Sequence, residues 1–242
     1  MKYSVIFGQK FGSYMQITKT KLSCNNCHSE LTNIINNWLY QCKNCKLYCS
    51  LLFDTKYNGE QPIGWTESAS DFLSDLREQN AKEVLNELSR HIDLKDRSIL
   101  DVGCAAGWFL DIAKDYGMTV TGVEPEKNIA IKGVEKGLDI KIVNFPDICL
   151  KDNYFNVISF NDVFEHIRKP DEMLEHVNTH LKEGGYLLLN LPSSDGFIYK
   201  AASAFARLGY MPLLDRLWQK GYFSPHLFYF SNDNLKAFVE KQ

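Results

Sequence analysis

Between residues 98 and 191 short β-branched runs alternate with stretches of helical period, and few folds accept that alternation. Strand, helix and parallel strand in succession bury both faces of a sheet, so the pattern calls for a Rossmann-like, doubly wound, mainly parallel α/β fold. It predicts strands at Ser98–Val102, Thr119–Glu124, Ile140–Val143, Val157–Asn161 and Tyr186–Leu191. Helices are expected over Trp108–Tyr116, Glu126–Lys136 and Asp171–Lys182, the last closed by Gly184-Gly185. Ligands of such sheets bind beyond the carboxyl ends of the strands, which directs attention to the loops after Val102, Glu124, Val143 and Asn161.

The first of these loops reads Asp101-Val102-Gly103-Cys104-Ala105-Ala106-Gly107-Trp108. Gly103 lets the chain leave the strand without a Cβ clash, Ala105 stays small at the closest approach, and Gly107 opens the next helix. A nucleotide fits such a turn. The dinucleotide fingerprint G-x-G-x-x-G would need glycines at 103, 105 and 108, and position 108 is Trp. Seventeen residues past Gly107, Glu124 ends the second strand, where a carboxylate can accept both hydroxyls of a ribose.

The acid-x-G-x-A-x-G turn resembles motif I of class I S-adenosylmethionine-dependent methyltransferases, with Ala105 in place of the middle glycine. The run Ser159-Phe160-Asn161-Asp162-Val163-Phe164-Glu165-His166, then Pro170 and Gly184-Gly185, is similar to the branch containing ubiquinone-biosynthesis O-methyltransferases. His226-Leu227-Phe228-Tyr229-Phe230-Ser231 matches that branch's H-x-x-x-F-S segment. The resemblance implies that Asp101 faces the methionine amino group, that Gly103, Cys104, Ala105 and Gly107 line the methionine part, and that Glu124, followed by Pro125, holds the ribose. It further implies that Asn144 and Phe145 flank the adenine and that Asn161 and Asp162 lie under the sulfonium. His166 is the candidate general base, because its free pKa lies near neutrality; a histidine bonded to the adjoining helix is an equal reading. Asp162, Glu165 and His166 could also gather one divalent cation, a reading ranked below the metal-free one. His176 and His180, four apart on a helix, read as surface residues, and Cys104 as packing.

Cys24-Asn-Asn-Cys27 and Cys42-Lys-Asn-Cys45 form two C-x2-C hooks separated by 14 residues, the form of a zinc ribbon. Four unlinked thiols are the competing reading. With every position filled by cysteine no open site remains, so a structural zinc is expected, with His28 and Cys49 as substitute ligands only. Residues 20–50 are too few to bury a core alone, which makes the metal a folding element.

The expected organisation is a ribbon over residues 1–55, a linker and amphipathic helix over 56–95, and a cofactor-binding domain over 96–242 with an insertion at 193–230. Residues 54–67 mix Gly, Pro, Asn and Asp as a linker does, and Ala69, Phe72, Leu73, Leu76, Ala81, Val84, Leu85, Leu88 and Ile92 recur at helical spacing. The insertion is rich in aromatics, among them Phe197, Tyr199, Tyr210, Trp218, Tyr222 and Phe223, which either line an acceptor pocket or pack as a lid. The family's two last strands are missing, so the fifth strand is expected to be an open edge, from a truncated chain or one completed by self-association.

A formal net charge of −3 gives no general attraction for nucleic acid, and no run of residues is long and apolar enough for a membrane span. A polar start, MKYSVIFGQKFG, leads to an expected cytoplasmic location. The reading is a methyltransferase for a small-molecule or sugar-type acceptor, using S-adenosylmethionine and a structural zinc. An RNA methyltransferase and a non-catalytic cofactor-binding assembly module are the alternatives.

Overall fold

A computed structural model describes Leu22, Cys24 and residues 26–52 and 67–241, with side chains from residue 75 in the second stretch. The expectations for the first twelve residues, for the linker before residue 67 and for the side chains of Ala69, Phe72 and Leu73 lie outside the described residues. The strands are β1 (Leu31–Asn33), β2 (Leu39–Cys42), β3 (Tyr48–Ser50), β4 (Ser98–Val102), β5 (Thr119–Val123), β6 (Ile140–Lys141), β7 (Phe155–Asn161), β8 (Leu181–Asn190) and β9 (Phe228–Tyr229). The helices are α1 (Glu67–Leu88), α2 (Trp108–Asp115), α3 (Lys127–Glu135), α4 (Pro170–His180), α5 (Phe197–Arg207), α6 (Pro212–Leu217) and α7 (Asn232–Val239). By contact the chain divides into two compact units.

One unit comprises Pro62–Asn161 and His176–Leu188. Its sheet runs in the order β6-β5-β4-β7-β8, with β4 flanked in parallel by β5 (Ile99 opposite Val120) and β7 (Ile99 opposite Val157). Every residue of β4 is buried, as a central strand covered on both faces requires. Ala81, Leu85 and Leu88 of α1 bury their stripe with Ile99, Phe109 and Ala113; Leu76, expected on the same stripe, is exposed, and Ile92 lies past the helix end. The helix expected to reach Lys182 stops at His180. The carbonyls of Thr179 and His180 accept the Asn153 and Tyr154 amides, so sheet pairing captures the chain and Gly184-Gly185 falls inside β8. β6 is shorter than expected because Val143 turns its amide back onto the Lys141 carbonyl.

The other unit comprises the described part of Met1–Gln61 with Asp162–Glu175 and Leu189–Gln242. Its sheet is β1-β2-β3-β9, and β3 pairs antiparallel with β9, Tyr48 opposite Tyr229 and Cys49 opposite Phe228. The N-terminal hairpin thus shares a sheet with residues from near the other end of the chain. Ser50 reinforces the join, donating its amide to the Leu227 carbonyl and its hydroxyl to the His226 carbonyl, both at 2.8 Å. Beneath it lies an aromatic core of Trp38, Tyr199, Trp218 and Tyr229, with Trp218 ring centroids 4.8 Å from Tyr229 and 5.8 Å from Trp38. α7 starts with a capping box between Ser231 and Asn234, and the Asn234 amide also donates to the Cys45 carbonyl at 3.0 Å. The aromatics of the insertion divide by burial: Tyr199 and Trp218 are core, whereas Phe197, Tyr210 and Phe223 are exposed.

Trp218 touches ribbon and insertion residues at once. Trp218→Ala should therefore cost about 3–5 kcal/mol in urea unfolding, with amide exchange accelerating in β2 and β9 together. Phe223→Ala, at an exposed ring, should stay within about 0.5 kcal/mol. Exchange confined to the insertion would contradict the shared core.

Candidate functional site

The turn after β4 is left-handed at three positions, Gly103 at φ +71°, Ala105 at +48° and Gly107 at +75°. At Gly107 the left-handed φ favours glycine, and an added Cβ would also displace Leu138 Cδ1, 2.3 Å away, at the start of α2. Ala105 accepts a conformation that disfavours a side chain by roughly 1–2 kcal/mol. What holds it is Glu124: the Ala105 amide donates to Glu124 Oε2 at 3.0 Å and the Glu126 amide to Oε1 at 2.9 Å. Each oxygen keeps a lone pair for a further donor. Cys104 is buried, and a Cβ at Gly122 would lie 2.5 Å from its sulfur, so the thiol occupies the space that glycine vacates in β5. Burial holds that thiol protonated, which does not suit a nucleophile.

Asp101, in β4 just before the turn, is buried and accepts the Ser159 hydroxyl at 2.7 Å and the Asn161 amide at 2.9 Å. Burial nevertheless pushes its carboxyl up to about 7, with the like charge of Glu124 adding to the rise and the two hydrogen bonds opposing it. Asp101, Gly103, Cys104, Ala105, Gly107, Glu124, exposed Pro125 and Asn161 thus occupy the carboxyl ends of β4, β5 and β7 and the turns that follow. Phe145 follows β6 as a buried ring standing edge-on to His176 at 6.4 Å and to His180 at 6.2 Å. His180, expected at the surface, is itself buried, because the chain turns from helix to strand there. The sequence assigns Ser159 no role; its signal is a small hydroxyl between the large apolar residues Ile158 and Phe160 of β7.

In the other unit Asp162 is exposed and left-handed at φ +54°, its amide donating to the Asn190 carbonyl at 2.8 Å. The 3₁₀ turn Phe164–His166 follows. His166 Nδ1 lies 3.0 Å from the Pro225 carbonyl, which can only accept, so Nδ1 carries the proton and Nε2 is the basic nitrogen. Burial lowers the His166 pKa, keeping the imidazole neutral near pH 7. Its ring stands edge-on to His226 at 4.7 Å. Tyr229 donates its hydroxyl to the Leu217 carbonyl at 2.9 Å and therefore accepts from His226 Nδ1 at 3.2 Å. His226 Nε2 receives the Gln219 amide at 2.9 Å and lies 3.8 Å from buried Glu165 Oε1. Ligand atoms of Glu165, His166 and His226 all lie within 4.8 Å of one another, a spacing that can hold a cation. His226 is in the quoted H-x-x-x-F-S segment, but spacing alone could not pair it with a residue 60 positions earlier.

The family profile described as a methyltransferase domain matches residues 72–242. The chain belongs to the methyltransferase-domain family. It is 24% identical over 145 residues to the ubiquinone biosynthesis O-methyltransferase of Chromobacterium violaceum, covering 57% of this chain and 62% of that one. An uncharacterised protein of Methanocaldococcus jannaschii is 30% identical over 119 residues, covering 49% of this chain and 55% of that one. The chain thus spans between half and two thirds of the length of these relatives. A solved S-adenosylmethionine-dependent methyltransferase of Thermotoga maritima, titled a possible histamine N-methyltransferase, shares the fold at a TM-score of 0.51. It is 17% identical and covers 66% of this chain and 69% of that one.

Ahead of the matched domain, the chain brings its four hook cysteines together as one group. Cys24 and Cys45 sulfurs lie 3.6 Å apart and those of Cys27 and Cys42 3.4 Å apart, far beyond a disulfide bond. Tetrahedral zinc with Zn–S near 2.3 Å requires sulfurs about 3.8 Å apart, so the donors fit. Cys49 and His28 stand outside the group.

Asp101 supplies a pH test. An unfolded aspartate titrates near 3.9, so between that value and about 7 the folded chain keeps a proton that the unfolded chain has released. Asp101's contribution is therefore most favourable below the unfolded pKa and is lost as pH rises through 7, by an amount on the order of 4 kcal/mol. Urea unfolding at pH 5 and pH 8 should show the wild type losing stability relative to Asp101→Asn. Parallel profiles would contradict the buried, protonated carboxyl.

Proposed function

We propose that the chain transfers a methyl group from S-adenosylmethionine to a small-molecule or sugar-type acceptor. The observation that carries this reading is the left-handed turn Gly103–Gly107 tied to Glu124 through the Ala105 amide. That bond joins the end of β4 to the end of β5, where an adenosyl ligand of a doubly wound sheet is expected. Glu124 would accept the ribose hydroxyls, Asp101 would face the ammonium of the methionine part, and the Gly103–Gly107 backbone would leave room for it. Phe145 and Asn161 would bound the adenine and the sulfonium end.

When bound, S-adenosylmethionine supplies an electrophilic methyl group. The protein's share is alignment of the acceptor and, for a hydroxyl acceptor, removal of its proton. His166 is suited to that removal: burial keeps it neutral and its hydrogen bond to Pro225 leaves Nε2 as the accepting nitrogen. Asp162, held left-handed just past β7, would position the acceptor. The small-molecule acceptor is supported by the likeness to the Chromobacterium relative, which is named a ubiquinone biosynthesis O-methyltransferase.

Glu124→Ala should weaken S-adenosylmethionine binding at least tenfold by calorimetry. His166→Asn should leave that binding within twofold and slow methyl transfer by about 10²–10⁴. Turnover is read as labelled methyl entering the low-molecular-mass fraction of a cell extract. Label in RNA instead would overturn the acceptor assignment, and unchanged affinity in Glu124→Ala would overturn the cofactor site.

The four-cysteine group is read as a structural zinc site, supported by its sulfur spacing. Elemental analysis of protein purified without chelator should give about one zinc per chain. Cys42→Ser should lose the metal and melt at lower temperature, since binding of such a metal is folding free energy.

A further inference from the structure

Within the unit that contains the ribbon, a cavity of about 290 Å³ lies between β2, β3 and α5. Lys46, from the second cysteine hook, meets Lys200 and Arg207 from α5 around it. The last two are seven residues apart, two helical turns on one face. Among the described residues neither Lys200 nor Arg207 forms a salt bridge or side-chain hydrogen bond, and both are exposed. Lys46 donates to the Lys43 carbonyl at 2.6 Å and keeps two further donors. The acid on this wall, Asp195, accepts the Asn232 amide at 2.9 Å, so three cations face one carboxylate that is already engaged.

Hydroxyls complete the lining. Tyr48 and buried Ser203 stand on the wall, together with Tyr199, which is 3% exposed. A chain of net charge −3 has thus gathered three cations around a hydroxyl-lined hollow with a single acid, Asp195, on its wall. Like charges held together repel unless an anion joins them. Two ammonium groups and a guanidinium fork suit the oxygens of a phosphate or diphosphate better than a single carboxylate, because those oxygens can accept from all three. The volume is near the lower end of small-ligand cavities, about 300 Å³. That is room for a diphosphate and part of what it carries.

We infer that this cavity binds the phosphate or diphosphate of a phosphorylated small molecule, with Lys46, Lys200 and Arg207 as its charge-bearing contacts. The site draws on one unit's own residues and is independent of which acceptor is methylated. Its neighbour Tyr199 stacks at 4.5 Å on Tyr229, whose hydroxyl meets His226, so occupation bears on the aromatic support of the histidine cluster.

The test is calorimetric titration of the full chain with inorganic pyrophosphate. The wild type should bind it saturably, and the double variant Lys200→Ala, Arg207→Ala should bind at least tenfold more weakly. The control Lys127→Ala, Lys132→Ala removes equal charge from exposed positions on α3 and should bind within twofold of wild type. Single Lys200→Gln and Arg207→Gln variants, each at an exposed position, should each weaken binding at least threefold if the double variant does not fold. Displacement of pyrophosphate by a nucleoside diphosphate identifies a nucleotide-linked ligand, and displacement by vesicles carrying phosphatidic acid identifies a lipid headgroup; both support the site. No saturable binding, or an equal loss in the control, overturns it. Because S-adenosylmethionine binding is measured separately, the failure of this site and the failure of the methyltransferase reading remain distinguishable.

Discussion

The hydrogen bond from the Ala105 amide to Glu124 is the contact on which the turn after β4 depends. Three left-handed residues in five would not hold such a shape by local preference alone, least of all with a methyl group at the middle one. Glu124 supplies the restraint from the neighbouring strand, and β5 can deliver it only because Gly122 yields its side-chain space to Cys104. The small residues of the turn and the acid of the next strand therefore form a single mechanical unit. Glycine at 105 would relieve the strain, and alanine is tolerated because the amide it presents is caught.

Much of this was legible in the sequence because it is local. Strand, turn and helix around motif I follow from period and from glycine placement over a dozen residues, and the observed β4 and β5 fall within a residue of their expected bounds. Legibility failed where distant segments compete for the same backbone groups. The end of α4 is decided by amides at Asn153 and Tyr154, some 26 residues earlier, and no helix-stop signal encodes that. The β3–β9 pairing joins residues about 180 positions apart through two-residue registers too short to leave a periodic trace.

That pairing changes what the ribbon is. Read alone, four cysteines and a hairpin suggest a metal-stapled appendage. In the folded unit the same hairpin adds three strands to β9, buries Trp38 against Trp218, and receives the Asn234 side chain on the Cys45 carbonyl. The segment behind His226 is thus anchored by the ribbon through Ser50, whose hydroxyl bonds the His226 carbonyl. Order in the cysteine hooks and the setting of the histidine cluster are coupled through one small sheet. A chain of this length gains from the arrangement, because a hairpin too small for its own core borrows one.

Electrostatics supply the remaining argument. Asp101 and Glu124, at the carboxyl ends of the neighbouring strands β4 and β5, are both buried and differ in their hydrogen-bond partners: two backbone amides donate to Glu124. Asp101 has a hydroxyl and a side-chain amide, too little to offset its desolvation, so its carboxyl is pushed up to about 7. A protonated acid costs little to bury but offers little to a cation. Under the proposed cofactor reading, an ammonium brought to Asp101 would draw the proton off and convert a neutral group into a charge partner in a low-dielectric setting, where that attraction is stronger than in water. Burial of Asp101 is thus tolerated because the side chain can hold its proton.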